Sequence, residues 1–172
     1  MEALAGRVRT VFGQRDKSAG GAGQGAPKGD GGSSAFFRAV VEGAFLVAAA
    51  DDDLSKGEAA LLRETIAFVT GETLGPERFE EMIDELMRAR DRDGVEGRLK
   101  AMARAVAGPS ERREVLRFAA AIGLCDDDLV LRERGTLLKM GRSLGVGAEE
   151  VQSIVDEVRT SLGGEGGGGQ ER

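Results

Sequence analysis

Two aspartate triplets are the residues of this chain best suited to chemistry. Asp51-Asp52-Asp53 and Asp126-Asp127-Asp128 each close an apolar run, and a leucine follows each one (Leu54, Leu129). A glutamate stands seven positions beyond the first aspartate of each triplet, Glu58 and Glu133. Asp51 and Asp126 lie 75 residues apart, as do Glu58 and Glu133, so AFLVAAADDDLSKGE at 44–58 recurs as AAAIGLCDDDLVLRE at 119–133. Clustered carboxylates suit a hard cation: Ca²⁺ and Mg²⁺ take oxygen ligands. The chain has no histidine, which removes imidazole zinc sites and histidine general bases, and its one cysteine, Cys125, excludes an internal disulfide. Beside two carboxylates that thiol is a poor thiolate, so a buried structural role is expected.

The same acids have two other readings. Asp53, Ser55 and Asp128 are natural helix caps, and the positive end of a helix favours acids. Arg63, Arg132, Arg134 or Lys139 could instead neutralise them. An EF-hand does not fit. That loop needs a glycine at position 6 and a glutamate at 12, and here the glutamate comes at position 8. A third acidic group, Asp91, Asp93 and Glu96, is either a solvated loop or a further part of the site.

Seven helices are expected to position these residues, over about 35–50, 55–70, 76–90, 95–107, 110–125, 129–144 and 148–161, with no sustained period-two alternation that would mark strands. The first and fifth become apolar all round, which places them at the centre of an all-α domain. Steps of three and four join Phe37, Val40, Ala44 and Val47 to Asp51, and Val115, Ala119 and Ile122 to Asp126. The same steps join Glu58 to Leu62, Thr65 and Val69, and Glu133 to Leu137, Met140 and Leu144. Four carboxylates therefore end core-facing stripes. Ser55 and Glu58 have the spacing of a capping box, and Pro76 opens the third helix, whose apolar face is Phe79, Met82, Ile83 and Leu86. A polar loop is expected at Asp91-Arg92-Asp93-Gly94, a break at Gly108-Pro109, and a turn at Gly145-Val146-Gly147.

The flanks differ in composition. Residues 1–15 could form a short amphipathic helix, with Leu4, Val8, Val11 and Phe12 on one face beside Arg7 and Arg9. Such a helix would touch a membrane surface or a partner, or simply pack on the domain. Residues 16–34 hold seven glycines and read as a flexible linker; residues 163–172 hold six and read as a disordered tail. Residues 35–162 are the expected domain. A net charge of −6 argues against non-specific nucleic-acid binding. No apolar run reaches the length of a membrane span and no signal-peptide core opens the chain, so a cytoplasmic protein is expected.

The segments AAADDDLSKGE at 48–58 and CDDDLVLRE at 125–133 resemble the paired motifs of the tellurite-resistance TerB family. In that family an alanine-rich helix leads into Asp-Gly, a hydrophobic residue and a downstream Glu. Arg142-Ser143-Leu144-Gly145-Val146 also resembles the family's close of its sixth helix. The resemblance covers about residues 35–160. It implies an all-helical domain of about seven helices, of the kind found in bacterial tellurite-resistance and stress-response operons, with an acidic patch that binds metal. Carried to this chain, the patch is Asp51, Glu58, Asp126 and Glu133, while Asp52 and Asp127 stand where the family has glycine. Aspartate adopts the left-handed conformation less readily than glycine, so the loops are expected to differ in shape and gain negative charge.

The expected function is that of a non-enzymatic TerB-like stress-response protein. It would bind a divalent cation, Ca²⁺ or Mg²⁺ ahead of Zn²⁺, and act as a scaffold for protein partners in a membrane-associated complex, peripheral at the inner membrane. The alternative is a metal-free interaction module, like the TerB-like domain of some membrane co-chaperones. No nucleophile–base pair, phosphate loop or small-molecule substrate site is visible.

Overall fold

The centre of the molecule follows from the two runs that are apolar on every face. In the computed structural model, which describes residues 31–50, 54–70, 75–124 and 131–163, they lie in helices α1 (Gly31–Ala48) and α4 (Pro109–Gly123). From Ala39 to Ala49 every residue of the first run is buried, as are Val115, Leu116 and Phe118–Leu124 of the second. These two helices make the most extensive interhelical contact in the structure. Gly43 allows the close approach. A Cβ there would lie 3.1 Å from Val115 Cγ1 and 3.3 Å from Met102 Sδ.

Four more helices surround this pair: α2 (Lys56–Thr70), α3 (Pro76–Ala105), α5 (Leu131–Leu144) and α6 (Ala148–Gly163). There is no strand among the described residues, and the all-α class is as the sequence predicts. The stripes turn inward as the register requires. Val40, Ala44, Val47, Leu62, Val115, Ala119, Ile122 and Met140 are fully buried, and Thr65, Leu137 and Leu144 nearly so. Each large apolar side chain removed from water in this way stabilises the fold by about 1.5–3 kcal/mol before entropy is counted. α1 ends at Ala48 and α4 at Gly123, 75 residues apart. None of the described helices is long and apolar enough to cross a membrane.

Helix α1 already includes Gly31, within the stretch read as linker. One expectation about the elements is corrected. The expected loop at Asp91–Gly94 is a kink instead: α3 runs from Pro76 to Ala105, and six helices are found among the described residues where seven were expected. Gly94 alone departs from helical geometry, with φ 69° and ψ 160°. That region is open essentially to glycine only, so one residue redirects the helix without a loop. The kink lets both halves reach the core, Phe79 from the first and Leu99, Met102 and Val106 from its second half and end.

α5 stops at a second left-handed glycine, Gly145, with φ 73°. The Val146 N–H donates to the Gly141 carbonyl at 2.8 Å and the Gly145 N–H to the Arg142 carbonyl at 3.2 Å, the two bonds of a Schellman motif. The chain then turns into α6, whose Val151, Ile154, Val155 and Val158 are buried. Val151 packs directly over Gly141, where a Cβ would overlap its Cγ2.

Candidate functional site

The two glutamates of the acidic repeat occupy equivalent places. Glu58 is the third residue of α2, Glu133 lies in the first described turn of α5, and each is only 7% exposed. At Glu58 the expected capping box is formed. The Ser55 N–H donates to Glu58 Oε2 at 2.8 Å, and the Glu58 N–H donates to Ser55 Oγ at 3.1 Å. Two of the helix's orphan donors are thereby satisfied, and one carboxylate oxygen of Glu58 is engaged. The residue 75 beyond Ser55 is Val130, which has no hydroxyl, so no reciprocal side-chain bond can form with Glu133. α4 shows a half-version of the device. The Gly108 N–H donates to Glu111 Oε2 at 3.2 Å, but glycine has no side chain to return the bond.

Of the six candidate ligands, Glu58 and Glu133 are therefore placed. Asp51, Asp52, Asp126 and Asp127 lie outside the described residues, as do Asp53, Cys125 and Asp128. Among the described residues no three acidic or thiol groups come together as a metal cluster.

Arg63, Arg132, Arg134 and Lys139 are exposed, and Arg134 donates to Gln152 Oε1 at 2.8 Å on α6. The arginine that reaches the end of α1 is Arg90, whose side chain is 11% exposed. Its Nη1 donates to the Ala49 carbonyl at 2.8 Å, and its Nη2 lies 3.5 Å from Asp91 Oδ1. A cation at a helix C-terminus satisfies an orphan carbonyl and opposes the negative end of the dipole. The signal was present in the sequence: Phe79, Ile83, Leu86 and Arg90 are spaced by four, three and four.

The third acidic group is largely committed to arginines. Asp93 accepts from Arg92 Nε at 3.0 Å and from Arg98 Nη1 at 3.0 Å. Arg92 first and Arg98 second hold the Asp93 carboxyl below the ordinary aspartate range. Arg98 also donates through Nε to Glu42 Oε1, a carboxylate of α1 with a 12% exposed side chain. Glu42 foremost, and Asp93 after it, keep the Arg98 guanidinium protonated above its ordinary value against the opposing effect of burial. Glu42 was missed in reading the sequence, although it is the lone charge in the apolar run 39–50. This Glu42–Arg98–Asp93–Arg92 chain ties α1 to both sides of the kink in α3. Glu96 is exposed.

No family model matches the chain, and no curated protein and no solved structure matches it.

Proposed function

We propose that this chain is a TerB-like binding module of the tellurite-resistance and stress-response class, not an enzyme, and that its paired acidic junctions hold a divalent cation. The observation that carries this reading is the equivalence of Glu58 and Glu133. They lie 75 residues apart, each on the first turn of a helix, each nearly buried and each preceded by an aspartate triplet. The 75-residue separation of the ends of α1 and α4, and the contact between these two helices, support a pseudo-two-fold pair of helix–loop–helix units.

The donor set fits a hard cation. All the proposed ligands are carboxylates, and the chain has no imidazole, which favours Ca²⁺ or Mg²⁺ over Zn²⁺. Glu58 gives Oε2 to Ser55 and keeps Oε1 for a further partner. Asp51, Asp52, Asp126 and Asp127 would complete the set. A bound cation would neutralise the acids and fix the two loops. The domain would then act as a cytoplasmic scaffold for proteins of a membrane-associated complex, peripheral at the inner membrane.

The formed capping box favours a second reading, a metal-free interaction module in which Glu58 is structural. A thermal melt of the chelator-treated chain, titrated with Ca²⁺, Mg²⁺, Mn²⁺ and Zn²⁺, separates the two. Binding to the folded state adds about 2.7 kcal/mol at a cation concentration 100 times Kd. Glutamine also closes a capping box, so Glu58→Gln keeps the cap and removes the charge. The cation reading expects one ion to raise the midpoint saturably, and expects Glu58→Gln and Glu133→Gln to abolish that rise. A flat titration with every ion sinks it in favour of the metal-free module.

A further inference from the structure

The first half of α3 carries more apolar surface than the core covers. Phe79 is buried there, but Met82, Ile83, Leu86 and Met87 remain partly exposed. Between this face and α1 runs a groove of about 430 Å³, with Phe37, Met82, Leu86 and Ala89 along its floor. On α3 the apolar lining runs from Met82 to Ala89, a rise of about 10 Å over seven steps of 1.5 Å.

The charge of the groove opposes that of the chain. Its lining includes four arginines, Arg38, Arg88, Arg92 and Arg98, against two glutamates, Glu42 and Glu85, in a molecule of net charge −6. Arg98 and Glu42 neutralise each other at the base. Arg38, Arg88 and Arg92 are exposed on the rim. Arg88 is held only by a 3.6 Å surface pair with Asp84, both side chains about two-thirds or more exposed, and Arg92 pairs with its neighbour Asp93. The exposed Arg88–Asp84 pair contributes at most about 1 kcal/mol, so an incoming carboxylate can replace it, while Arg92 holds Asp93 through Nε and Nη2 and keeps Nη1 to donate.

We infer that the α1/α3 groove docks an acidic amphipathic helix of a partner protein, its apolar side chains on Phe37, Met82 and Leu86 and its carboxylates on Arg38, Arg88 and Arg92. Apolar anchors spaced i, i+3 or i+4, and i+7 match a floor of this length, and methionine adapts to varied partner side chains. The chain's own flanks fit less well. Residues 163–172 contain no apolar side chain larger than glycine, and residues 1–15 place Arg7 and Arg9 beside their apolar face, where the rim arginines repel them. The inference is independent of cation binding at Glu58 and Glu133.

The test uses the full chain with methyl-¹³C methionine and two synthetic amphipathic peptides of about 16 residues, one with glutamate and one with lysine flanking the same leucine stripe. The acidic peptide is expected to bind saturably and to shift the Met82 methyl, leaving the buried Met102 and Met140 methyls in place. The triple variant Arg38→Glu, Arg88→Glu, Arg92→Glu is expected to weaken the acidic peptide at least roughly tenfold and to favour the basic one, because rim charges select partners by sign. These residues are exposed, and circular dichroism of the variant checks that its fold is retained. The proposal is overturned by the absence of binding up to about 1 mM, or by binding that the triple variant does not change. A Met82 shift on Val8→Asp without peptide would assign the groove to the chain's own amino-terminal segment. A Met82 shift that depends on protein concentration would assign it to a second copy. Either result also overturns the proposal.

Discussion

Gly94→Ala tests whether one backbone angle joins the two halves of α3. The wild-type residue has φ 69° and ψ 160°, and a Cβ placed on it meets nothing within 4 Å. The substitution therefore adds no steric contact with the rest of the protein, and its cost is conformational. Holding a non-glycine residue in that region costs of order 1–3 kcal/mol. Reducing the freedom of the unfolded chain returns about 0.4–1 kcal/mol. Taking the middle of each range, about 2 less about 0.7, the expected net loss is about 1.3 kcal/mol. Relaxing the angle to a helical value is no escape. A straight α3 would withdraw either Phe79 or the Leu99, Met102 and Val106 group, all buried, from the core. Urea unfolding followed by far-ultraviolet circular dichroism measures the loss. The accompanying fall in Tm should be roughly 3–5 °C per kcal/mol for a domain of this size. A variant as stable as wild type, with an unchanged denaturant slope, would refute the idea that the kink needs glycine.

Three further outcomes follow from the geometry. Ser55→Ala should cost about 0.5–2 kcal/mol by removing the acceptor for the Glu58 N–H, to the same extent with and without added cation; denaturant titrations in chelator and in excess Ca²⁺ compare the two. Gly141→Ala should destabilise by about 1–3 kcal/mol through overlap with Val151. Adding Val151→Ala should make the double variant less unstable than the sum of the singles, as a double-mutant cycle would show. The third concerns pH. The folded Asp93 carboxyl titrates below its ordinary range, so its stabilisation is fully present above the ordinary value of about 3.9 and is lost as pH falls through the folded value. The stability gap between wild type and Asp93→Asn, followed by denaturation from pH 7 downward, should therefore close below about pH 4.

Local pattern carried much of the fold and part of the candidate site. Periods of three and four chose most of the buried face of α1, with Phe37 only half-buried, and the described buried faces of α2, α4 and α5, because a side chain's place on a helix is fixed by its number. The Ser55–Glu58 box was legible for the same reason, both partners lying within one turn. The Glu42–Arg98 pair spans 56 residues and the Arg90–Ala49 bond 41, and no local rule selects one arginine among many at such distances. Glu42 and Arg90 each stand out as a charge on an apolar stripe, but the stripe does not name the partner.

The kink shows the same division. Asp91, Arg92, Asp93 and Gly94 together have the composition of a loop, and composition sums residues without asking what holds each one. In the folded protein Arg90 reaches back to α1, and Arg92 and Arg98 clasp Asp93, so the helix persists up to one glycine. The sequence by itself determined the helical class, most of the inward faces, the Ser55–Glu58 cap and the recurrence of Asp and Glu 75 residues apart. Only the tertiary structure decided which arginine meets which carboxylate, and that α3 leaves an apolar face beside an arginine rim. Those outcomes depend on how rigid helices stack, and the distance between helices is set by packing of the whole core rather than by any one segment.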